Sequence, residues 1–161
     1  MARIGPGEGA VFRCCVAAVL VSAALAGPAA AQPRANTPCA DADILGVWEL
    51  TSIRADEPGV QAFYAQHPVE YMRFRRGGDY IYVAMNSRLP GLAEINASLD
   101  RADRGDGVSY LTRFVDTGVL VIFRDGQPFQ GFTCTMTDAD TMVWGPFPGN
   151  ASLYRRHRRV R

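Results

Sequence analysis

The sequence predicts an all-β protein, about eight antiparallel strands closed into an up-and-down barrel with one or two short helical connections. Three observations predict it. Short runs of alternating polarity recur along the chain and are broken by Gly and Asp. Most of the breaks are only hairpin-length, whereas the rival sandwich with Greek-key connections needs a long return. Full closure would also remove the exposed sheet edges that this many strands otherwise present.

Residues 1–31 read as a secretory signal peptide. Arg3 and Arg13 make a basic start, Cys14–Leu25 is an apolar run, and Ala29-Ala30-Ala31 offers small residues for cleavage. The run is shorter than the roughly 20 residues a spanning helix requires. The mature chain is expected to begin at Gln32 and to work in the periplasm or outside the cell. Residues 32–42, rich in Pro and polar side chains, read as a leader. The barrel domain is expected over residues 43–161, ending in an Arg-rich tail.

Gly46–Ile53 is the first predicted strand, with Trp48, Leu50 and Ser52 on one face. Residues 54–69 lose the period, and Val60–Gln66 has room for one or two helical turns between Pro58 and Pro68. Glu70–Phe74 and Tyr80–Met85 form a hairpin around Arg75-Arg76-Gly77-Gly78-Asp79, whose glycines supply positive φ. Leu92–Arg101 is a short helix, with Leu92, Ile95 and Leu99 at i, i+3 and i+7. Val108–Phe114 and Val119–Phe123 flank the turn Asp116-Thr117-Gly118. The second of these (VLVIF) reads as a strand buried on both faces. Asp125-Gly126 is a strong hairpin signal ahead of Phe129–Met136. Thr141–Trp144 and Ala151–Arg155 complete the set.

Composition narrows the function. Without residues 1–31 the chain carries fifteen arginines, no lysine and fifteen acids. That balance argues against a dedicated nucleic-acid binder, which usually shows a clear basic excess. Arg155, Arg156, Arg158, Arg159 and Arg161 crowd the C-terminus and read as a solvated tail, or as a strip for peripheral contact with an anionic surface. Cys14 and Cys15 leave with the signal peptide. The even pair Cys39 and Cys134 is expected to form one disulfide in an oxidising compartment.

The run Leu45-Gly46-Val47-Trp48-Glu49-Leu50 resembles the opening of the lipocalin-like (calycin) β-barrels, whose first strand carries G-x-W. The resemblance is to the short bacterial type, since the chain ends with its last strand. It implies that Trp48 plugs one end of the barrel, with Gly46 beside it, and that an arginine from near the C-terminus packs across the indole. Arg155 or Arg156, after Leu153-Tyr154, would be that arginine. A guanidinium suits the place, because it stacks on an aromatic face while donating to nearby carbonyls. The resemblance also implies that residues 54–69 form a lid loop over the open end.

If Trp48 faces inward, alternation makes Leu50, Ser52, Met72, Phe74, Tyr80, Tyr82, Tyr110, Phe114, Phe132, Met136 and Trp144 the candidate interior. Such a lining suits a flat or irregular apolar ligand with a polar end. Alternation sends Arg73 and Arg113 outward; an inward arginine would argue for an anionic ligand such as a fatty acid.

No catalytic constellation is visible. His67 and His157 have no partners at catalytic or metal-ligating spacing, and no nucleophile elbow, zinc motif or phosphate-cradling loop occurs. Asp100, Asp103 and Asp106 recur every third residue, whereas an EF-hand loop spaces its acids by two, so they read as a solvated, charge-balanced loop. Asn96-Ala97-Ser98 and Asn150-Ala151-Ser152 are formal glycosylation sequons. The expected protein is an exported monomer that binds or carries a small hydrophobic molecule, with no metal and no cofactor. The alternative is a periplasmic or secreted inhibitor of a protease or lysozyme, acting through its leader or loops.

Overall fold

The protein is described here from a computed structural model covering residues 36–105, 108–147 and 153–161. The predicted signal peptide, leader residues 32–35, Asp106 and the second sequon lie outside the described residues. In chain order the elements are β1 (Thr37–Pro38), α1 (Asp41–Ile44), β2 (Gly46–Ala55), α2 (Pro58–Gln66), β3 (Val69–Phe74), β4 (Tyr80–Met85) and α3 (Leu92–Gly105). Then follow β5 (Tyr110–Asp116), β6 (Val119–Arg124), β7 (Gln127–Asp138), β8 (Thr141–Pro146) and β9 (Leu153–Arg159).

All strands belong to one antiparallel sheet, in the order β4-β3-β2-β9-β8-β7-β6-β5. The fold is all-β and barrel-like. From β2 onward sequence neighbours pair, except β4 with β5; β9 joins back onto β2, and the short β1 pairs with β7. An up-and-down barrel would close by pairing β4 with β5. Among the described residues these two strands meet at a single bridge, Asp79 to Leu111. The Thr112 N–H donates to the Gly78 carbonyl at 2.7 Å beside it. Gly78 sits there with φ +93°, and a Cβ would lie 2.4 Å from the Thr112 oxygen. Only glycine lets the two backbones approach so closely. The result is a curled sheet clasped at one end and parted at the other.

The turn chemistry follows the residues. Asp125 and Gly126 both have positive φ, as a two-residue hairpin matched to strand twist requires. Arg124 accordingly pairs with Gln127 across it.

Apolar residues bury on both faces of one part of the sheet. Inside, Trp48, Met72, Phe74, Leu120, Phe132, Met136, Met142 and Trp144 pack with the Cys39–Cys134 disulfide. Outside, Ile95 and Leu99 of α3 pack on Val47, Tyr71 and Ile81. This explains why β3 and β4 carry apolar residues at successive positions. It also revises the reading of the acidic triplet. Asp100 and Asp103 lie on α3, not in a loop, and pair with Arg73 at 2.7 Å and Arg75 at 2.9 Å. The bond from Arg73, foremost, holds the Asp100 carboxyl below its usual range.

Three further expectations are corrected. Ser52 is exposed rather than interior. A bulge places Leu50 opposite His157 and Ser52 opposite Arg156, so Thr51 is the extra residue and alternation reverses after it. Leu50 itself is buried. In β6 only Leu120 and Ile122 are buried; Val119, Val121 and Phe123 are half-buried on the other face. The Arg-rich C-terminus is a strand in the middle of the sheet, not a tail. Its residues alternate, with Arg155 and His157 buried and Tyr154, Arg156 and Arg158 exposed.

Candidate functional site

The two ends of the curled sheet differ. At the clasped end Trp48 is fully buried and its indole N–H donates to the Ile44 carbonyl at 2.7 Å. The arginine across it is Arg159, not Arg155 or Arg156. Its guanidinium centre lies 4.2 Å from the ring centroid. The same group donates to the carbonyls of Leu45 and Asp43, the latter at 2.6 Å. Gly46 adopts φ +113°, and a Cβ there would stand 3.1 Å from the guanidinium. One cation thus ties the entry of β2 to the exit of β9. Arg159→Ala is expected to lower the unfolding free energy by about 2–3 kcal/mol, because two inward carbonyls lose their donor along with the cation–π contact. Denaturant midpoints of the two proteins check this.

Also at this end, α1, the Arg75–Gly78 turn and Thr112–Phe114 surround an open groove of about 540 Å³. Its arginines, Arg75, Arg76 and Arg113, are exposed, and Phe114 is half-buried against the inner core.

The parted end encloses a smaller cavity of about 290 Å³. Gly59, Val60, Phe63 and Tyr64 of α2 lie over it. Glu70, Tyr80 and Tyr82 form one wall, with Tyr110, Ile122, Phe129 and Gln130 opposite, and Leu153 and Arg155 also line it. Tyr80 is the hub of the tyrosines, 5.9 Å from Tyr82 and 6.2 Å from Tyr110 between ring centroids. Burial first, and then Tyr82, Tyr64 and Tyr110, push its phenol well above the ordinary tyrosine range.

One charge pair borders this apolar space. Arg155 and Glu70 are both buried, and an Arg155 Nη2 hydrogen donates to Glu70 Oε1. The Tyr64 hydroxyl donates to the other carboxylate oxygen at 3.0 Å, so a lid residue touches the pair. Among the described residues the buried Arg155 Nε–H has no hydrogen-bond partner. Arg155 also lies 5.3 Å from the Trp144 ring, which in turn packs 4.8 Å from the His157 imidazole. Among the described residues the Trp144 indole nitrogen makes no hydrogen bond.

Burial, and secondarily the Arg155 charge, hold the His157 pKa well below 6.5, so the ring is neutral in the folded protein. A folded pKa below the unfolded one means that the unfolded chain alone takes up this proton as pH falls. Stability from His157 is therefore complete above about pH 6.5 and declines below it, by up to about 1.4 kcal/mol per unit. His157→Leu should lose that part of the slope in denaturation curves compared across pH 4.5–7.5.

Of the predicted interior residues, the structure brings Tyr80, Tyr82 and Tyr110 to the cavity. Met72, Phe74, Phe132, Met136 and Trp144 instead belong to the packed core between the two ends. Sequence reasoning missed Glu70, Phe129 and the lid aromatics, and it assigned Arg155 to the wrong tryptophan. Glu70 had a signal: it stands two residues before Met72, in the alternation that faces Met72 and Phe74 inward. His67 is half-buried at the end of the lid helix, stacked on Phe63. No protein-family model matches the chain, and no curated protein matches it.

Proposed function

We propose that this chain is an exported, lipocalin-like binding protein that takes a small, mainly apolar molecule into the cavity under α2. The carrying observation is that cavity, about 290 Å³, lined by six aromatic side chains and one buried charge pair. Its volume lies just below the roughly 300–1,000 Å³ typical of small-molecule sites, so the molecule it takes is small. The family reading is supported by Gly46, Trp48 and Arg159 acting together at the clasped end. Export is supported by the Cys39–Cys134 disulfide, a bond of oxidising compartments.

Binding is favoured over catalysis because Glu70, the one carboxylate among the described residues lining the cavity, is held by the Arg155 guanidinium and the Tyr64 hydroxyl, and neither histidine nor cysteine lines the cavity beside it. Inhibition through a free leader is disfavoured by the leader's own pairing. Thr37 and Pro38 are zipped onto Met136 and Thr135, and Cys39 is bonded to Cys134. We further propose a monomer with no nucleic-acid partner. Any peripheral contact with an anionic surface falls to the outward Arg156 and Arg158 of β9.

Native mass spectrometry of the mature protein from an exporting host tests the reading. A mass above the disulfide-bonded chain that disappears on denaturation is the expected result. A bare chain that also fails to quench or shift an apolar fluorescent probe would count against it.

A further inference from the structure

The outer face of the sheet carries two arginines that no carboxylate neutralises. Past the bulge at Thr51, Ser52 stands opposite Arg156 and Arg54 opposite Tyr154. All four residues are exposed, while Arg155, between Tyr154 and Arg156, is buried. Alternation therefore puts the four side chains on one outward face. Arg54 and Arg156 become diagonal neighbours across the strand pair, roughly 7–8 Å apart at Cβ. Like charges at that distance repel. The other arginines nearby are matched: Arg155, Arg158, Arg159 and Arg161 each meet a carboxylate. Among the described residues neither Arg54 nor Arg156 makes an ion pair. The Asp138 carboxylate, which feels the Arg156 charge, is held in its own hairpin, where the Asp140 N–H donates to it at 2.8 Å.

The two guanidiniums border open space. A shallow depression of about 250 Å³ lies on this face, lined by Ser52, Arg54, Val143, Tyr154 and Arg156 among others. The Arg54 guanidinium centre stands 4.2 Å from the Tyr154 ring centroid, which sets the head of Arg54 at the depression rather than away from it. Stacking fixes the plane of the group and leaves its N–H edge free to donate. Ser52 adds an exposed hydroxyl opposite Arg156.

We propose that Arg54 and Arg156, with the Ser52 hydroxyl, bind a phosphate ester on the outer face of the sheet. A phosphate has enough acceptor oxygens to take N–H donors from two guanidiniums at once, and its charge removes their repulsion. The site backs onto the cavity across β9 and does not depend on the cavity's being a ligand site.

NMR of the arginine Nε–H groups reads the site in the mature, disulfide-bonded protein, titrated with glycerol 3-phosphate against chloride at constant ionic strength. The Arg54 and Arg156 signals, identified by their loss in Arg54→Gln and Arg156→Gln, should shift together and saturate. Each substitution should weaken binding by about threefold to fivefold, the effect of one exposed charge pair at its upper range. Arg101→Gln, an equal charge change on α3, should leave it unaltered. Sedimentation with vesicles finds the source of the phosphate. Binding to mixed phosphatidylglycerol and phosphatidylcholine vesicles, absent with phosphatidylcholine alone and weakened by both substitutions, assigns a lipid headgroup. Binding of glycerol 3-phosphate without vesicle binding assigns a soluble ester. Failure of both probes, or a loss in Arg101→Gln equal to that in Arg156→Gln, would overturn the site and leave the cavity reading standing.

Discussion

Replacing Arg155 by Met should lower the unfolding free energy by about 3–5 kcal/mol, and adding Glu70→Met in the same chain should restore most of that loss. The first effect follows from burial. The Glu70 side chain is 3% exposed, and Arg155 is the only cation paired with it among the described residues. Removing one partner of a buried pair strands the other charge in a low-dielectric interior. Tyr64 would still donate to Glu70, but a hydroxyl does not balance a carboxylate. Removing both charges instead leaves a hydrophobic contact, and such replacements are often neutral or stabilising. Denaturant unfolding of Arg155→Met, Glu70→Met, the double substitution and the parent forms a double-mutant cycle. If both single substitutions cost under about 1 kcal/mol, the pair behaves as a solvated surface bridge and the site is wetter than described.

Breaking the disulfide is expected to cost about as much. Cys39 and Cys134 lie 95 residues apart in sequence, and a loop of that length contributes about 4–5 kcal/mol in the chain-entropy treatment. The bond also sits in tight packing. The Cys134 N–H donates to the Gly118 carbonyl, and a Cβ on Gly118 would be 2.9 Å from Pro38 Cβ. Cys39→Ala with Cys134→Ala should shift the denaturation midpoint downward, and reductant should shift the parent by a similar amount. Alkylation of the unreduced protein should find no free thiol on either residue.

Much of the sheet was legible from the sequence because its signals are local. Asp125-Gly126 and Gly77-Gly78 mark hairpins through backbone angles that few other residues adopt. The alternation in Met72-Phe74 and Tyr80-Tyr82 placed those side chains inside without knowledge of their partners. What was not legible depends on contacts between distant segments. The bulge at Thr51 forms because β9 pairs with β2, and nothing in residues 46–55 announces it. Arg155 and Arg159 read as part of a solvated tail because their burial depends on Trp48, Glu70 and Trp144, all far away in sequence. Seven closely spaced residues with four arginines and a histidine look soluble until the distant partners of Arg155 and Arg159 are known. The cavity escaped for a related reason. Its walls and its filled neighbour share the same pattern, and only the parting of β4 from β5 separates hollow from packed.

The place of β9 also bears on how the molecule is made and broken. This strand lies between β2 and β8, so the two ends of the folded chain meet at a joint in the middle of the sheet. The contact of Arg159 with Leu45 spans 114 residues. Pairings this distant slow folding, because their loop entropy is lost before the contact repays it. They also set the penalty for a nick. A chain cut before residue 153 loses no outer strand; it bares β2 and β8 as two facing edges and strips the lid of Trp48 and the counterion of Glu70 together. Unpaired edges of this kind recruit other chains. A truncated product should therefore appear as aggregate rather than as a smaller soluble barrel.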